Sequence, residues 1–140
     1  MHLNPHINFK GDCEAAFKFY EQHLGGKIQF MLTYGASPMA KDAAPEWQSK
    51  AVHAALNIDG RIITGADNPP SHYQTPQGFS LTIEEKDVAE AERVFAAFAG
   101  NAKVQMPLQE TFWATRFAML VDRFGIPWMV NCAKASQQAA

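Results

Sequence analysis

The sequence predicts an α+β fold in which two βαβββ units form a curled mixed sheet around a cleft. Three observations predict it: alternating apolar residues typical of strands, two amphipathic helical stripes, and the return of the same order of elements in the second half. At 140 residues the chain is long enough to bury a sizeable core. We therefore expect one domain over residues 1–140, with units at about 1–67 and 78–133 and a disordered tail over 134–140.

The first unit begins with alternating residues at positions 3–9, which predict a strand with His6 on its polar face. Asp12 has the chemistry of a helix N-cap, and apolar residues at helical spacing follow it as far as Gly25. Residues 34–50 are long for a connection inside a compact domain, so we interpret them as a lid or rim. The remaining predicted strands cover 27–33, 51–58 and 61–66, the last two joined by the turn Asp59-Gly60.

The second unit starts with a strand over 79–83. Asp87 is then placed to cap a helix that ends at Gly100, with Glu90 as a capping-box partner. A short strand over 102–106 leads to a hairpin, whose two strands at 115–121 and 126–132 are separated by the turn Asp122–Gly125.

Residue identities also repeat between the two units. A shift of 76 residues places Glu14 on Glu90 and Phe19 on Phe95. Agreement of residues with the order of elements favours an internal duplication over chance.

The equivalence of the two hairpins points to a cavity. Counting back six residues from Asp59 and Asp122 reaches His53 and Arg116, which this alignment places at equivalent positions. His53 lies on the strand face opposite the apolar residues, which directs it away from the packed side of the sheet.

The segment before the hairpin, Gln109 to Trp113, is unusual for a plain loop. Its carboxylate, Glu110, and its aromatic residues suit the mouth of a pocket, but aromatic residues near a strand also close a core. Arg116 could bind a carboxylate or phosphate with two parallel hydrogen bonds, or it could pair with Glu110.

Composition excludes several functional classes. The chain is 47% hydrophobic and 19% charged with a net charge of −2, and no cluster of Lys and Arg indicates nucleic-acid binding. No apolar run reaches the roughly 18–20 residues of a membrane span, and no signal peptide is recognisable, so we expect a cytoplasmic protein. Cys13 and Cys132 do not make a disulfide framework, although Cys13, beside a helix N-terminus, is a candidate for a lowered pKa.

Several segments resemble the PhnB-like branch of the vicinal oxygen chelate superfamily, which includes glyoxalase I, extradiol dioxygenases and bleomycin resistance proteins. The segments are PHINFKGDCEAAFKFY, VHAALNI, QETFWATRF and DRFGIPWMVN, and together they extend the resemblance over nearly the whole chain. Proteins of this branch often carry a demethylubiquinone methyltransferase label. This chain has no glycine-rich loop between a strand and a helix to hold a methyl donor, so the sequence does not support that chemistry.

The resemblance also implies where a metal would bind, since enzymes of the superfamily place ligands on the first and last strand of each unit. Those positions hold His6, Phe79 or Ser80, Thr64, and Met129 or Asn131. A divalent metal site needs three or four converging His, carboxylate or thiolate groups. We therefore predict no metal and no cofactor.

The resemblance leaves three functions to compare. The first is a binding protein for a small molecule, with ligand-binding residues His53, Glu110, Trp113, Arg116 and Trp128. The second is a metal-dependent lyase or dioxygenase of the glyoxalase type, and the third is a dimerisation module with a vestigial cleft. His53 could also act as a general base or form a structural hydrogen bond. We predict the first function, in a homodimer.

Overall fold

The computed structural model describes residues 1–135, in which each half of the chain forms one βαβββ unit, as predicted. The boundary between the two compact units falls after Thr75. The first unit contains β1 (His6–Phe9), α1 (Cys13–Leu24), β2 (Lys27–Thr33), β3 (Ala51–Ile58) and β4 (Arg61–Asp67). The second contains β5 (Leu81–Glu85), α2 (Val88–Ala99), β6 (Lys103–Gln109), β7 (Ala114–Val121) and β8 (Pro127–Ala133).

Both units have the same sheet topology. The strand order is β1-β4-β3-β2 in the first unit and β5-β8-β7-β6 in the second. In each unit the first and last strands pair in parallel, and the other neighbours are antiparallel. The first and last strands therefore lie side by side, so their side chains on one face meet.

The first unit buries its core between α1 and one face of the sheet. Cys13, Ala16, Phe17 and Tyr20 form the buried stripe of α1, because their spacing places them on one side of the helix. Gly65 of β4 allows close approach, since a Cβ built there would lie 2.7 Å from Cζ of Phe17.

Asp67, at the end of β4, is 1% exposed and links several elements of this unit. Its Oδ1 accepts hydrogen bonds from the backbone amides of Gly11 at 3.0 Å and Cys13 at 2.9 Å. Its Oδ2 accepts one from the amide of Ala51 at 2.9 Å. Asp12 occupies the predicted N-cap position, but its side chain makes no capping hydrogen bond, and the carboxylate of Asp67 satisfies the first turn instead.

Residues 34–50 form a loop that contains two 3-10 turns, Ala40–Asp42 and Pro45–Trp47. Its neck is closed by backbone hydrogen bonds from Tyr34 and Gly35 to the opposite side of the loop. The Gln48 side-chain amide donates to two carbonyl groups inside the loop, and the Tyr34 hydroxyl donates to the carbonyl of Asp67. The prediction of a loop is confirmed, while its role as a lid stays a prediction.

The second unit differs from the prediction in detail. Its first strand begins at Leu81 rather than Phe79, and β6 extends to Gln109. Asp87 caps α2 as predicted, because its Oδ1 accepts from the amide of Ala89 at 2.9 Å. Glu90 does not complete a capping box and pairs with Arg93 one turn along the helix.

The described residues include the beginning of the C-terminal tail. Lys134, in the tail predicted to be disordered, is described and contacts Glu110, while residues 136–140 of that tail lie outside the described residues. Neither helix within residues 1–135 is long and apolar enough to cross a membrane. The treatment of the whole chain as one domain stays a prediction.

We predict that Asp67→Asn destabilises the chain by roughly 2–3 kcal/mol, because an amide in this position leaves a buried backbone N–H without an acceptor. Asp59→Asn is the control, since Asp59 is an exposed turn residue that keeps its positive φ as asparagine. Urea unfolding of the two variants measures the difference. Equal stability of Asp67→Asn and the unsubstituted protein would contradict the role of this carboxylate.

Candidate functional site

The first unit presents one face of its sheet on the side opposite α1, which we call the open face. Gly65 lies against Phe17 of α1, and its partner in the ladder is Ala54. Because side chains alternate along a strand, the neighbouring His53 points away from α1, as predicted. The side chain of His53 is exposed.

An imidazole and aromatic row crosses this open face. The ring centroids of His53 and Phe30 are 5.2 Å apart, and those of His53 and His6 are 6.3 Å apart with planes 16° from parallel. Phe30 is 46% exposed and Leu32, opposite His53 in the ladder, is 39% exposed. The row therefore offers apolar surface beside two imidazoles that are able to form hydrogen bonds.

His6 is held in place by its neighbour on β4. Its Nδ1 lies 2.7 Å from Oγ1 of Thr64, its partner in the parallel ladder. Burial lowers the pKa of His6 below its ordinary value of 6.5, a hydrogen bond with the Asn8 side chain opposes that shift, and the charge of His53 lowers the pKa further. The neutral imidazole is therefore favoured in the folded chain.

An aromatic cluster lies in the second unit at the start of β7. The Trp113 ring meets Phe112 at 4.7 Å and Phe117 at 5.1 Å between centroids. Phe112 is 87% exposed, whereas Phe117 is 7% exposed. Trp113 therefore has features of both predicted roles, closing a core and lining the mouth of a pocket, because its ring contacts one buried and one exposed aromatic residue.

The parallel pair of strands in the second unit carries a polar contact between Glu84 and Asn131. These residues are partners in the β5–β8 ladder, and the Asn131 amide nitrogen donates to Glu84 Oε2 at 2.9 Å. A carboxylate only accepts hydrogen bonds, so the nitrogen of Asn131 must face it. Oδ1 of Asn131 is buried and has no hydrogen-bond partner among the described residues.

The predicted equivalence of His53 and Arg116 is wrong. The turn after β3 contains two residues, between the partners Ile58 and Arg61, whereas the turn after β7 runs over residues 122–126. The two turn lengths differ by an odd number of residues, so the alternation of side chains along β7 is offset by one residue from that along β3. An offset of one residue moves a side chain to the other face of a sheet. Arg116 therefore faces α2, whereas His53 faces away from α1.

The partners of Arg116 and Glu110 also differ from the predicted pair. Nε of Arg116 lies 4.0 Å from Oε1 of Glu92 on α2, and its Nη1 donates to the Thr115 carbonyl at 2.7 Å. Glu110 instead pairs with Lys134 at 3.6 Å. Both ion pairs are substantially exposed, so each contributes little to stability.

Trp128 lies in the core of the second unit. It is 3% exposed, its ring packs edge-on against Phe98 of α2 at 5.2 Å, and its Nε1 donates to Oδ2 of Asp122 at 2.8 Å. A tryptophan whose ring is packed and whose N–H is satisfied serves the fold.

The two cysteines lie in the same kind of environment, since both are free and buried. Burial raises the pKa of the Cys13 thiol, and the carboxylate of Asp67 raises it further. The lowered pKa considered for Cys13 is therefore wrong, because loss of hydration outweighs the helix N-terminus.

Sequence reasoning missed Phe30 and Glu84. Phe30 reaches the open face because the ladder shifts register between Ile28 and Phe30, an irregularity that residue alternation does not reveal. Glu84 was missed because the sequence predicted this strand over residues 79–83, two residues before its observed position at Leu81–Glu85. A strand extended to the residue before Lys86 would have included it.

The residues at the superfamily's metal positions do not fit a metal site within either unit. β1 and β4 bring together His6 and Thr64, and β5 and β8 bring together Glu84 and Asn131. Each pair contains one strong metal ligand beside a hydroxyl or an amide. Among residues 1–135, no three His, Cys, Asp or Glu side chains form a group that could hold a metal ion.

Comparison with known proteins agrees with this architecture. The family model of the Glyoxalase/Bleomycin resistance protein/Dioxygenase superfamily matches residues 4–130. Protein YjdN of Escherichia coli is 35% identical, with 96% of this chain and 97% of YjdN covered.

Solved structures show the same fold. The crystal structure of PA1353 from Pseudomonas aeruginosa is 42% identical and superposes with a TM-score of 0.86, covering 95% of this chain and 98% of that chain. A PhnB protein from Bacillus cereus is 21% identical with a TM-score of 0.82, covering 95% of this chain and 100% of that chain. At that identity the second likeness concerns the fold alone.

The extent of the family match and the identity to YjdN lead to one assignment. The chain belongs to the glyoxalase/bleomycin resistance protein/dioxygenase superfamily.

Proposed function

We propose that this protein binds a small molecule without metal chemistry and that the open face of the first unit is its ligand surface. One observation carries the proposal: Phe30 and Leu32 stay 46% and 39% exposed beside the imidazoles of His53 and His6. A sheet face that exposes large apolar side chains beside groups able to form hydrogen bonds has the composition of a ligand site.

The proposal keeps two of the residues predicted from the sequence and gives the others different roles. His53 lies on the open face, and Trp113, with the exposed Phe112, offers an aromatic surface in the second unit. Arg116 and Glu110 are engaged with charged neighbours, and Trp128 is packed in the core. We therefore assign ligand contact on the open face to His53, keep ligand contact by Trp113 as a separate proposal for the second unit, and assign charge pairing or packing to the other three.

The alternative functions receive less support. A metal-dependent lyase or dioxygenase needs several converging ligands, and each parallel strand pair supplies only one strong one. Methyl transfer is not supported, because the connection from β1 to α1 is not a glycine-rich loop that could hold a methyl donor. That connection, residues 10–12, contains a single glycine. A cytoplasmic homodimer stays part of the proposal.

We predict that Phe30→Ala weakens binding of 8-anilinonaphthalene-1-sulfonate by about 1 kcal/mol, roughly fivefold in Kd, because part of an aromatic contact is lost. Fluorescence titration measures the Kd. Phe79→Ala is a matched control, since Phe79 is exposed to a similar extent, 51%, in the second unit. An equal loss of affinity in both variants would show that the dye does not select the open face.

We predict that His6 makes stability fall as the pH decreases. Its pKa is lowered in the folded chain, so between that value and 6.5 the unfolded chain binds more protons. The contribution is therefore fully present above 6.5 and is lost as the pH falls toward the folded pKa.

The measurement is urea unfolding at about pH 7.5 and about pH 5.5. The unsubstituted protein should lose more stability between the two values than His6→Gln does. His6→Asn, a second uncharged substitution at the same position, should behave like His6→Gln. The same pH dependence in His6→Gln and the unsubstituted protein would refute the prediction.

A further inference from the structure

The sheet of the second unit has a face on the side opposite α2, and three methionines lie in a row across it. Trp128 of β8 packs against Phe98 of α2, so the next residue on that strand, Met129, points away from the helix. Met119 on β7 is the ladder partner of Met129, and Met106 on β6 is the ladder partner of Met119. Ladder partners share a face of the sheet. All three methionines are half-buried.

A second row of side chains runs beside the methionines. Phe117 on β7, Asn131 on β8 and Glu84 on β5 are successive ladder partners, and the first two lie two residues along their strands from a methionine. The ring of Trp113 contacts that of Phe117, with centroids 5.1 Å apart. We call the surface formed by the two rows and Trp113 the methionine face. Because β5 is an edge strand, this face is apolar with a carboxylate at one edge.

The apolar part of the methionine face has the properties of an adaptable contact surface. A methionine side chain is flexible and its sulfur is polarizable, so a row of three can fit apolar molecules of different shapes. Trp113 is half-buried and adds a flat aromatic surface beside the row. The body of a ligand for this face is therefore apolar.

The carboxylate of Glu84 forms no ion pair within residues 1–135. Other glutamates of the chain lie within 4.0 Å of a lysine or arginine nitrogen, namely Glu14, Glu90, Glu92 and Glu110. Glu84 instead accepts a hydrogen bond from the Asn131 amide nitrogen at 2.9 Å. Oδ1 of Asn131, which has no hydrogen-bond partner among the described residues, adds negative partial charge at the same place. This edge of the face therefore attracts a cation and repels an anion.

Cationic side chains on the same sheet leave this negative charge in place. Lys103 lies on β6, at the opposite edge of the sheet from β5, roughly 14 Å away across three strand spacings. Salt screens exposed charges over about 8 Å, so Lys103 has little effect on Glu84. Arg116 faces α2 and pairs with Glu92. Lys86, two residues after Glu84, is exposed and forms no ion pair with it in the described part of the chain.

We propose that the methionine face binds hydrophobic organic cations, small molecules that carry an ammonium group on an aromatic or other apolar body. The ammonium group pairs with Glu84, and the body lies on the methionines and Trp113. Two strand spacings, about 10 Å, separate β5 from β7, a span that two fused aromatic rings with an aminomethyl group can bridge. This site belongs to the second unit and does not depend on the ligand surface proposed for the first.

The test compares 2-naphthylmethylamine, a cation at neutral pH, with 2-naphthylmethanol, which has the same rings and no charge. Protein labelled with ¹³C in its methionine methyl groups is titrated with each compound and followed by NMR. We expect the amine to bind at least about threefold more tightly, as an exposed ion pair predicts. Glu84→Gln should remove this difference. Glu46→Gln is the control, because it removes one exposed negative charge from the first unit.

The methionine signals also locate the bound molecule. The ring current of the naphthyl group should shift the methyl signals of Met119 and Met129, and the Kd for this face is read from those two signals. Met31 and Met39 belong to the first unit, so their signals should stay unchanged. The signals are assigned with Met119→Leu and Met129→Leu, substitutions of similar volume.

Two results would overturn the inference. Equal affinity for the amine and the alcohol, or a preference for the amine that survives Glu84→Gln, would show that Glu84 does not select a cation. Unchanged methyl signals of Met119 and Met129 would show that the methionine face is not the site. Neither result affects the proposed function, which Phe30→Ala and 8-anilinonaphthalene-1-sulfonate test separately.

Discussion

The first unit depends on one buried carboxylate, that of Asp67. Its two oxygens accept three backbone hydrogen bonds, from Gly11 after β1, from Cys13 at the start of α1 and from Ala51 at the start of β3. The Tyr34 hydroxyl, at the neck of the long loop, donates to the Asp67 carbonyl and so attaches the loop to the same residue. A buried charge is tolerated only when such donors surround it, so these segments must meet at this point. This junction helps to fix where β1 and β3 lie beside β4, and hence the spacing of His6 and His53.

The second unit uses a carboxylate in the same way at a different place. Asp122, 4% exposed, accepts from the amides of Phe124 and Ile126 with Oδ1 and from the indole of Trp128 with Oδ2. It thereby shapes the turn after β7 and satisfies the N–H of a core tryptophan. Gly125, at a φ of 85°, closes the turn in a conformation that favours glycine. Because of the length of this turn, Arg116 faces the helix of its unit, whereas His53 faces away from the helix of its own.

The order of elements could be predicted from the sequence because it depends on local signals. The bounds of β2 and β3 are correct to the residue, since Gly25-Gly26 and Asp59-Gly60 end the neighbouring elements in the chain. The face of the sheet on which each side chain lies was harder to predict, because it depends on register. Counting from a turn aspartate placed Arg116 on the wrong face, and the shift near Phe30 could not be anticipated. The direction of His53 was correct, because alternation within one strand is enough to assign it.

The central claim is that small molecules bind the open face of the first unit, and backbone amide NMR during a titration with 8-anilinonaphthalene-1-sulfonate tests it most directly. We expect the perturbed amides to cluster around His6, Phe30, Leu32 and His53, with little change along α1. Perturbations centred on α1, or spread evenly over residues 1–135, would contradict it.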